Sequence, residues 1–368
     1  MKIIFVLDHF YPHIGGAETL FFNLIKKLSK NKNYKIKILT SNSGGITGIK
    51  RINNIEINYC KWINLFGHPL PNIFDLYRNI KKSDLVHTAT YTSAFFSFFV
   101  SKILRKKIIV TVYEVLSFDW FKIDNFFRAL IYFLFERFTI KLPFDFYIAI
   151  SGYTRKKLIN NNIDNKKIKI IYPFLFKEDL KIKENNFLSK LESKKIFLFF
   201  GRAGKTKGVF VLLNAIKYLK SKLIFFKDFI FIFVLSKDPI GEKLKIRKFI
   251  NKNKLNKDII LINSFENKEE LNFIIKKSYT VIIPSITEGF GFSAYESCLL
   301  NVPVIVSDAG SLPEIVSGRF LIFKNLDYVD LANKIIMALN YKFKKKKKFF
   351  IDSRKEAKKL INLYKKII

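Results

Sequence analysis

Short runs of apolar residues alternate along the chain with longer segments whose apolar positions recur every three or four residues. That alternation predicts parallel strands covered by helices. In the first half the strand candidates are KIIFVL, KIKILT, DLVH, KKIIVTV, FYIAI and KIKII. Between the first two, GGAETLFFNLIKKLSK sets Leu20, Leu24, Ile25 and Leu28 on one helical face. The pattern then gives way to a polar, proline-containing stretch, YPFLFKEDLKIKENN, from Tyr172 to Asn186. A second series follows: KIFLFF, FIFIFVL, DIILI, TVIIP, VPVIVSD and RFLIF. The expected architecture is two doubly wound, Rossmann-like α/β domains, 1–174 and 187–345, joined by a linker over 175–186. A basic helix over 346–368, with an apolar stripe at Leu360, Ile361, Tyr364, Ile367 and Ile368, is expected to cross back to the first domain. Such sheets bind ligands outside the carboxyl ends of their strands, so two in tandem are expected to face each other across a cleft.

Length agrees with this division, since 368 residues exceed what one core usually serves and a hydrophobic content of 49% fills two. Two cysteines, Cys60 and Cys298, in apolar surroundings argue against a disulfide framework and a zinc site. The opening MKIIFVLDHF turns polar too soon for a secretory signal and no long uncharged apolar run occurs, so a cytoplasmic protein is expected, with a place at the inner face of the membrane left open. The net charge of +36 admits nucleic acid, anionic membrane or a phosphorylated substrate. Part of that excess follows from a Lys-, Asn-, Ile- and Phe-rich composition of the kind an AT-rich genome produces. Nucleic acid is set aside, because zinc-finger spacing, RNA-binding aromatic-glycine signatures and basic heptads are all missing. Peripheral contact with anionic membrane stays open. FFRALIYFLFERFTIKL, Phe126 to Leu142, reads either as a surface-lying helix or as a core helix.

Two segments carry chemistry. FLFFGRAGKTKG resembles a phosphate-gripping P-loop in its Gly204-Lys205-Thr206, but the glycine that must stand five residues earlier is Phe199. What remains is a strand, a glycine, two cations and a helix start, which is still a sound place for phosphate. The second segment is PSITEGFGFSAYESCLL. A strand ends, a glycine pair bends the chain and a helix begins near Phe292, with Glu288 before the turn and Glu296 on the helix. Carboxylates suit sugar hydroxyls rather than phosphate. Phosphate with sugars on either side is a nucleotide-sugar.

Taken together, EGFGFSAYESC with its two glutamates, NVPVIVSDAGSLPEIV after it, GRAGKTKG, the opening YPHIGGAE and AISGYTRKKLI resemble the family 4 retaining glycosyltransferases (glycosyl transferases group 1) of the GT-B fold, whose order these pieces keep along the chain. The resemblance implies a metal-independent transfer of a sugar from a nucleotide-diphosphate sugar to a glycan or lipid-linked acceptor, with retention at the anomeric carbon and no cofactor. Arg202 and Lys207 would bind the donor diphosphate. The backbone at Gly15 and Gly16 would meet it, Glu288 with the Gly289-Phe290-Gly291 turn would hold the donor sugar, and Glu296 the ribose. Growing negative charge on a leaving diphosphate is what fixed cations and N–H dipoles stabilise, so those roles are physically coherent. Accordingly the Asp-x-Asp metal motif of the other main glycosyltransferase fold is absent. One departure stands out: Tyr113 occupies the place near the reaction centre where many relatives carry histidine, and a tyrosine cannot be a cation at neutral pH. His87 ends a strand and reads as a cleft residue or a structural one. His9 and His13 have metal-like spacing, but Pro12 between them argues against one helix.

Two other classes remain. GFGFSA with Asp308, 19 residues after Gly289, matches a relaxed dinucleotide fingerprint and allows an NAD(P)-dependent oxidoreductase. A non-catalytic glycosyltransferase-like partner subunit would account for Tyr113.

Overall fold

A computed structural model describes residues 1–13, 15–42, 45–65, 68–184, 194–222, 228–236, 240–265 and 267–368. The chain divides into two compact units, Met1–Leu175 with Ile351–Ile368, and Phe176–Phe350. The expected linker ends among residues 185–193, which lie outside the described residues, as does Ile14 of YPHIGGAE.

The strands of the first unit are β1 (Lys2–Leu7), β2 (Lys35–Ser41), β3 (Gly48–Ile52), β4 (Ile55–Cys60), β5 (Ile63–Leu65), β6 (His68–Leu70), β7 (Leu85–Ala89), β8 (Lys107–Val112), β9 (Phe146–Ala149) and β10 (Ile168–Ile170). Eight of them form one sheet in the order β10-β9-β8-β7-β1-β2-β4-β3, while β5 and β6 pair separately. Only β3 runs antiparallel in that sheet. β1 sits between β2 and β7, with Ile3 opposite both Ile36 and Leu85, so strand order reverses there. The hairpin of β3 and β4 escaped the pattern reading because it is an edge whose outer strand, GIKRI, is fully exposed and too short and mixed to stand out as an apolar run. Its turn places Asn53 at φ 53°, a left-handed conformation that asparagine tolerates.

The second unit holds β11 (Lys195–Gly201), β12 (Phe229–Leu235), β13 (Ile259–Asn263), β14 (Thr280–Ile283), β15 (Val304–Ser307), β16 (Gly318–Phe323) and β17 (Lys344–Lys346). Their order is β13-β12-β11-β14-β15-β16-β17. Every residue of β12 is buried, as a strand covered on both faces must be. Phe197, Phe231 and Phe233 fill one side of the sheet and Leu198, Ile232 and Val281 the other. β17 is a correction to the basic helix expected over 346–368. Its lysines pair antiparallel with β16, and the helix begins only at Ser353, where the Asp352 carboxylate accepts from the backbone N–H of Arg354 and Lys355.

That last helix belongs to the first unit. It buries Ala357, Leu360, Leu363 and Tyr364, whereas Ile368 of the expected stripe is exposed. Tyr364 reaches His87, whose Nδ1 lies 2.5 Å from the tyrosine hydroxyl and whose Nε2 lies 2.7 Å from Thr111 Oγ1. Burial drives the imidazole pKa down to about 3. His87 is therefore buried and neutral, held through both ring nitrogens. Among the described residues no helix is long and apolar enough to cross a membrane.

Candidate functional site

In the second unit the strand order reverses between β11 and β14, and both strands point their carboxyl ends at the same spot. The loops that leave them are the two chemical segments of the sequence, Gly201–Gly208 and Pro284–Gly291. They meet. Ile286 N–H donates to Thr206 O at 2.7 Å, and Lys207 Nζ lies 2.8 Å from Glu288 Oε2. Gly208 makes this approach feasible: its φ is 65°, and a Cβ there would stand 1.7 Å from the Pro284 carbonyl oxygen. A third loop closes on the same carboxylate residue. Gly310, at φ 58°, lies where a Cβ would be 2.0 Å from Glu288 O, and Ser311 donates to that oxygen from both N–H and Oγ.

Glu288 is thereby fixed at both ends. Its Oε2 accepts from Lys207 and from Ser285 Oγ at 3.0 Å, while Ser307 Oγ holds the carbonyl of Ser285 at 2.5 Å. Glu296 lies on the Phe292–Leu299 helix, almost buried, and pairs with Lys268 at 2.7 Å. The side chains of Arg202 and Lys205 are exposed. Two helices, Val209–Ser221 and Phe292–Leu299, begin at these loops, and neither start has a side-chain cap for its first N–H groups. The Phe290 side chain points elsewhere: it is 2% exposed and packs on Phe292 and Tyr295, so this member of the expected donor set is a core residue that can offer only its backbone. Lys268 and Ser285 were missed in the sequence, since nothing local marks a lysine at a helix start or a serine after a strand as the partner of a distant glutamate.

The first unit has its own reversal point, between β1 and β7, where Gly15, Gly16 and Tyr113 lie near the strand ends. Asp8, just past β1, accepts from Ser93 N–H at 2.8 Å and Thr92 Oγ1 at 2.8 Å, and also from Ser93 Oγ. It clamps the start of the Thr92–Ile103 helix. Gly15 is the N-terminal neighbour of the Gly16–Leu28 helix, and Glu18 in its first turn lies 2.9 Å from His13 Nδ1. His13 also stacks on His9, with centroids 4.9 Å apart, and no cluster with the makings of a metal site occurs among the described residues. Tyr113 follows β8 and meets the edge of Phe21. Burial, then the negative charges of Glu18 and Asp8, raise its hydroxyl pKa well above the ordinary value, so it stays protonated. Behind its loop, buried Glu136 accepts from Leu116 N–H at 2.9 Å and Ser117 N–H at 2.7 Å. Burial lifts that carboxyl to about 7, against the opposing pull of the two N–H groups.

Comparison with known proteins agrees with the geometry. Residues 14–175 match the model described as Glycosyltransferase Family 4, and residues 181–357 match that of Glycosyl transferases group 1. The chain belongs to the family 4, group 1 glycosyltransferases, and it is a transferase enzyme. An uncharacterized glycosyltransferase of Methanocaldococcus jannaschii is 26% identical, covering 100% of this chain and 98% of its own. An O-antigen chain mannosyltransferase of Salmonella typhimurium is 26% identical over 59% of this chain and 57% of its own. Among solved structures, Anabaena HepE in complex with UDP-glucose gives a TM-score of 0.73 at 18% identity, covering 93% of this chain and 90% of that one. A Rickettsia africae glycosyltransferase gives 0.68 at 19% identity, covering 100% and 98%. At these identities the likeness establishes the GT-B type of fold, two Rossmann-like units, and nothing finer. The oxidoreductase alternative falls with this assignment. GFGFSA follows the fourth strand of its unit in chain order rather than the first, and Asp308 Oδ1 accepts locally from Asn325 N–H at 2.8 Å.

Proposed function

We propose that the second unit binds a nucleotide-diphosphate sugar and that the enzyme transfers the sugar, with retention and without a metal, to a glycan or lipid-linked acceptor at an anionic membrane surface. The observation that carries this reading is the Lys207–Glu288 pair at the reversal point of the second sheet, flanked by two helix starts. The arrangement suits an exchange of partners. On donor arrival the Lys207 ammonium turns from the Glu288 carboxylate to the diphosphate, and Glu288, still held by Ser285, becomes free to accept from sugar hydroxyls. Arg202, exposed beside it, adds a second cation. As the bond between anomeric carbon and phosphate oxygen breaks, charge builds on the diphosphate, and these groups are already oriented towards it. Glu296 accepts from the ribose. Tyr113, in the first unit and protonated, exchanges hydrogen bonds with its ligand but supplies no positive charge.

What HepE and the Salmonella mannosyltransferase are named for, UDP-glucose and an O-antigen chain, supports a nucleotide-sugar donor and an envelope glycan as product class. The test is a panel of UDP-, GDP- and ADP-sugars incubated with the protein in excess chelator, read by thermal stabilisation and slow donor hydrolysis. One donor should stabilise the protein and be hydrolysed, releasing the sugar with its donor's anomeric configuration. Absence of any stabilising donor, or hydrolysis only after divalent metal is restored, would sink the reading.

A further inference from the structure

Helix Phe126–Lys141 of the first unit has two unlike faces. Ala129, Glu136 and Ile140 are buried on one side. Opposite them Phe127, Ile131, Leu134 and Phe138, spaced four, three and four residues apart, form a single stripe. All four are exposed, Phe127 at 78%. Such a stripe normally faces a core.

The stripe does not end with the helix. Phe95 lies 5.9 Å from Phe138 and 5.0 Å from Phe99, and it joins the stripe to exposed Phe99 and Ile103 on the Thr92–Ile103 helix. At the other end Phe121 touches Phe126, and Phe133 stacks on Phe118, both outer rings being exposed. The result is a contiguous aromatic and aliphatic patch, larger than isolated surface hydrophobes explain.

Its border is cationic. Arg128 and Arg137 project on the two sides of the stripe and Lys141 stands at its end, all exposed. The helix has one carboxylate, Glu136, and that points inward. Of the carboxylates on adjoining segments, Asp119 pairs with Lys122 and Lys157 and Asp145 with Lys102 and Lys107, while Asp124 accepts from Asn125 N–H at the helix start. A second copy of the chain laid on this face would oppose arginine to arginine, which disfavours self-association. A helix with Phe and Leu on one face and Arg and Lys beside it is instead matched to the boundary between anionic headgroups and acyl chains.

We infer that this face of the first unit is a membrane-docking surface, with Phe127, Ile131, Leu134 and Phe138 entering the acyl boundary of an anionic bilayer. It rests on the proposed reading only for its purpose, access to a lipid-linked acceptor. Its test needs neither donor nor acceptor. The full chain is sedimented with vesicles of phosphatidylcholine containing phosphatidylglycerol, at low salt and at salt that collapses the Debye length to about 3 Å. The protein should bind, and part of that binding should survive high salt. Phe127→Ser combined with Leu134→Ser, both at exposed positions, should weaken partitioning on the order of 100-fold with unchanged circular dichroism. At the high-salt condition Lys347→Ala with Lys348→Ala, exposed positions of the second unit, should stay within about threefold of the parent, because exposed charges are largely screened there. Three results would overturn the inference: no sedimentation with anionic vesicles, a Ser double variant that partitions like the parent, or a lipid-free dimer that the same variant converts to monomer. None of these bears on donor hydrolysis, so the donor reading and the docking surface fail separately.

Discussion

The two sheets reverse strand order in the same way, yet they equip the reversal point with opposite chemistry. In the second unit, Arg202, Lys205, Lys207 and Lys268 gather near the strand ends, and the glutamates among them are held by cations or serine. In the first unit Asp8, Glu18 and Glu136 lie at the corresponding place, satisfied by backbone N–H groups, hydroxyls and a histidine ring. A chain with 66 basic and 30 acidic residues has thus concentrated carboxylates at one strand-end cluster and cations at the other. One fold therefore presents two different patterns of charge at its strand ends. Side chains past the strands decide which, and the strands themselves are interchangeable frameworks.

Backbone fit is the stiffest part of that contrast, and breaking it should have the largest effect. Gly208→Ala would thrust a Cβ into the Pro284 carbonyl at a left-handed residue, so the two loops must separate. The expected cost is on the order of 3 to 5 kcal/mol, the range of the severest single substitutions, read by urea unfolding. Gly204→Ala, four residues earlier and with nothing near its would-be Cβ, should leave unfolding almost unchanged. Equal effects of the two would mean that the loops are not locked together.

Next comes the charge of the second unit. Lys207→Ala should lower donor turnover on the order of 100- to 1000-fold, with a smaller loss of donor affinity. Arg202→Ala should fall in the same range, and the double variant should be little worse than the poorer single one, because both serve one developing charge. Lys205→Ala, in the position a P-loop would need, should be nearly silent. The reverse order, measured by steady-state kinetics, would reassign the loop.

The smallest effect sharpens the first unit. Glu136 holds its proton up to about pH 7 when folded but releases it near 4.5 when unfolded, so ionising it costs stability as pH rises through that window. His87 acts the other way. The unfolded chain takes up a proton below 6.5 that the folded one refuses until about 3, so its contribution is lost as pH falls. Glu136→Gln should remove the first slope and leave the second. Relative to the parent, the variant should gain up to about 3 kcal/mol between pH 4.5 and 7, whatever constant offset the amide introduces. A pH-independent difference would show that Glu136 is ionised throughout.

What could be read from the sequence follows the distance between partners. All twelve strand candidates are strands, because a strand covered on both faces is written as a local apolar run. Lys207 and Glu288 are legible since each lies in a short glycine-marked segment, although their pairing across 81 residues is not. Asp8 is silent: a lone aspartate after a strand says nothing until Ser93 folds against it. Glu136 hides in a helix whose composition reads as either core or surface, and only its exposed stripe resolves which.

Because Ser353–Ile367 completes the first unit, assembly acquires an order in time. His87 is synthesised early, but the hydroxyl that satisfies its Nδ1 comes 277 residues later. At about 5 to 20 residues per second, ribosomes leave that imidazole waiting on the order of 15 to 55 s. The whole second unit emerges in the interval, so it can finish folding while the first still lacks its last helix.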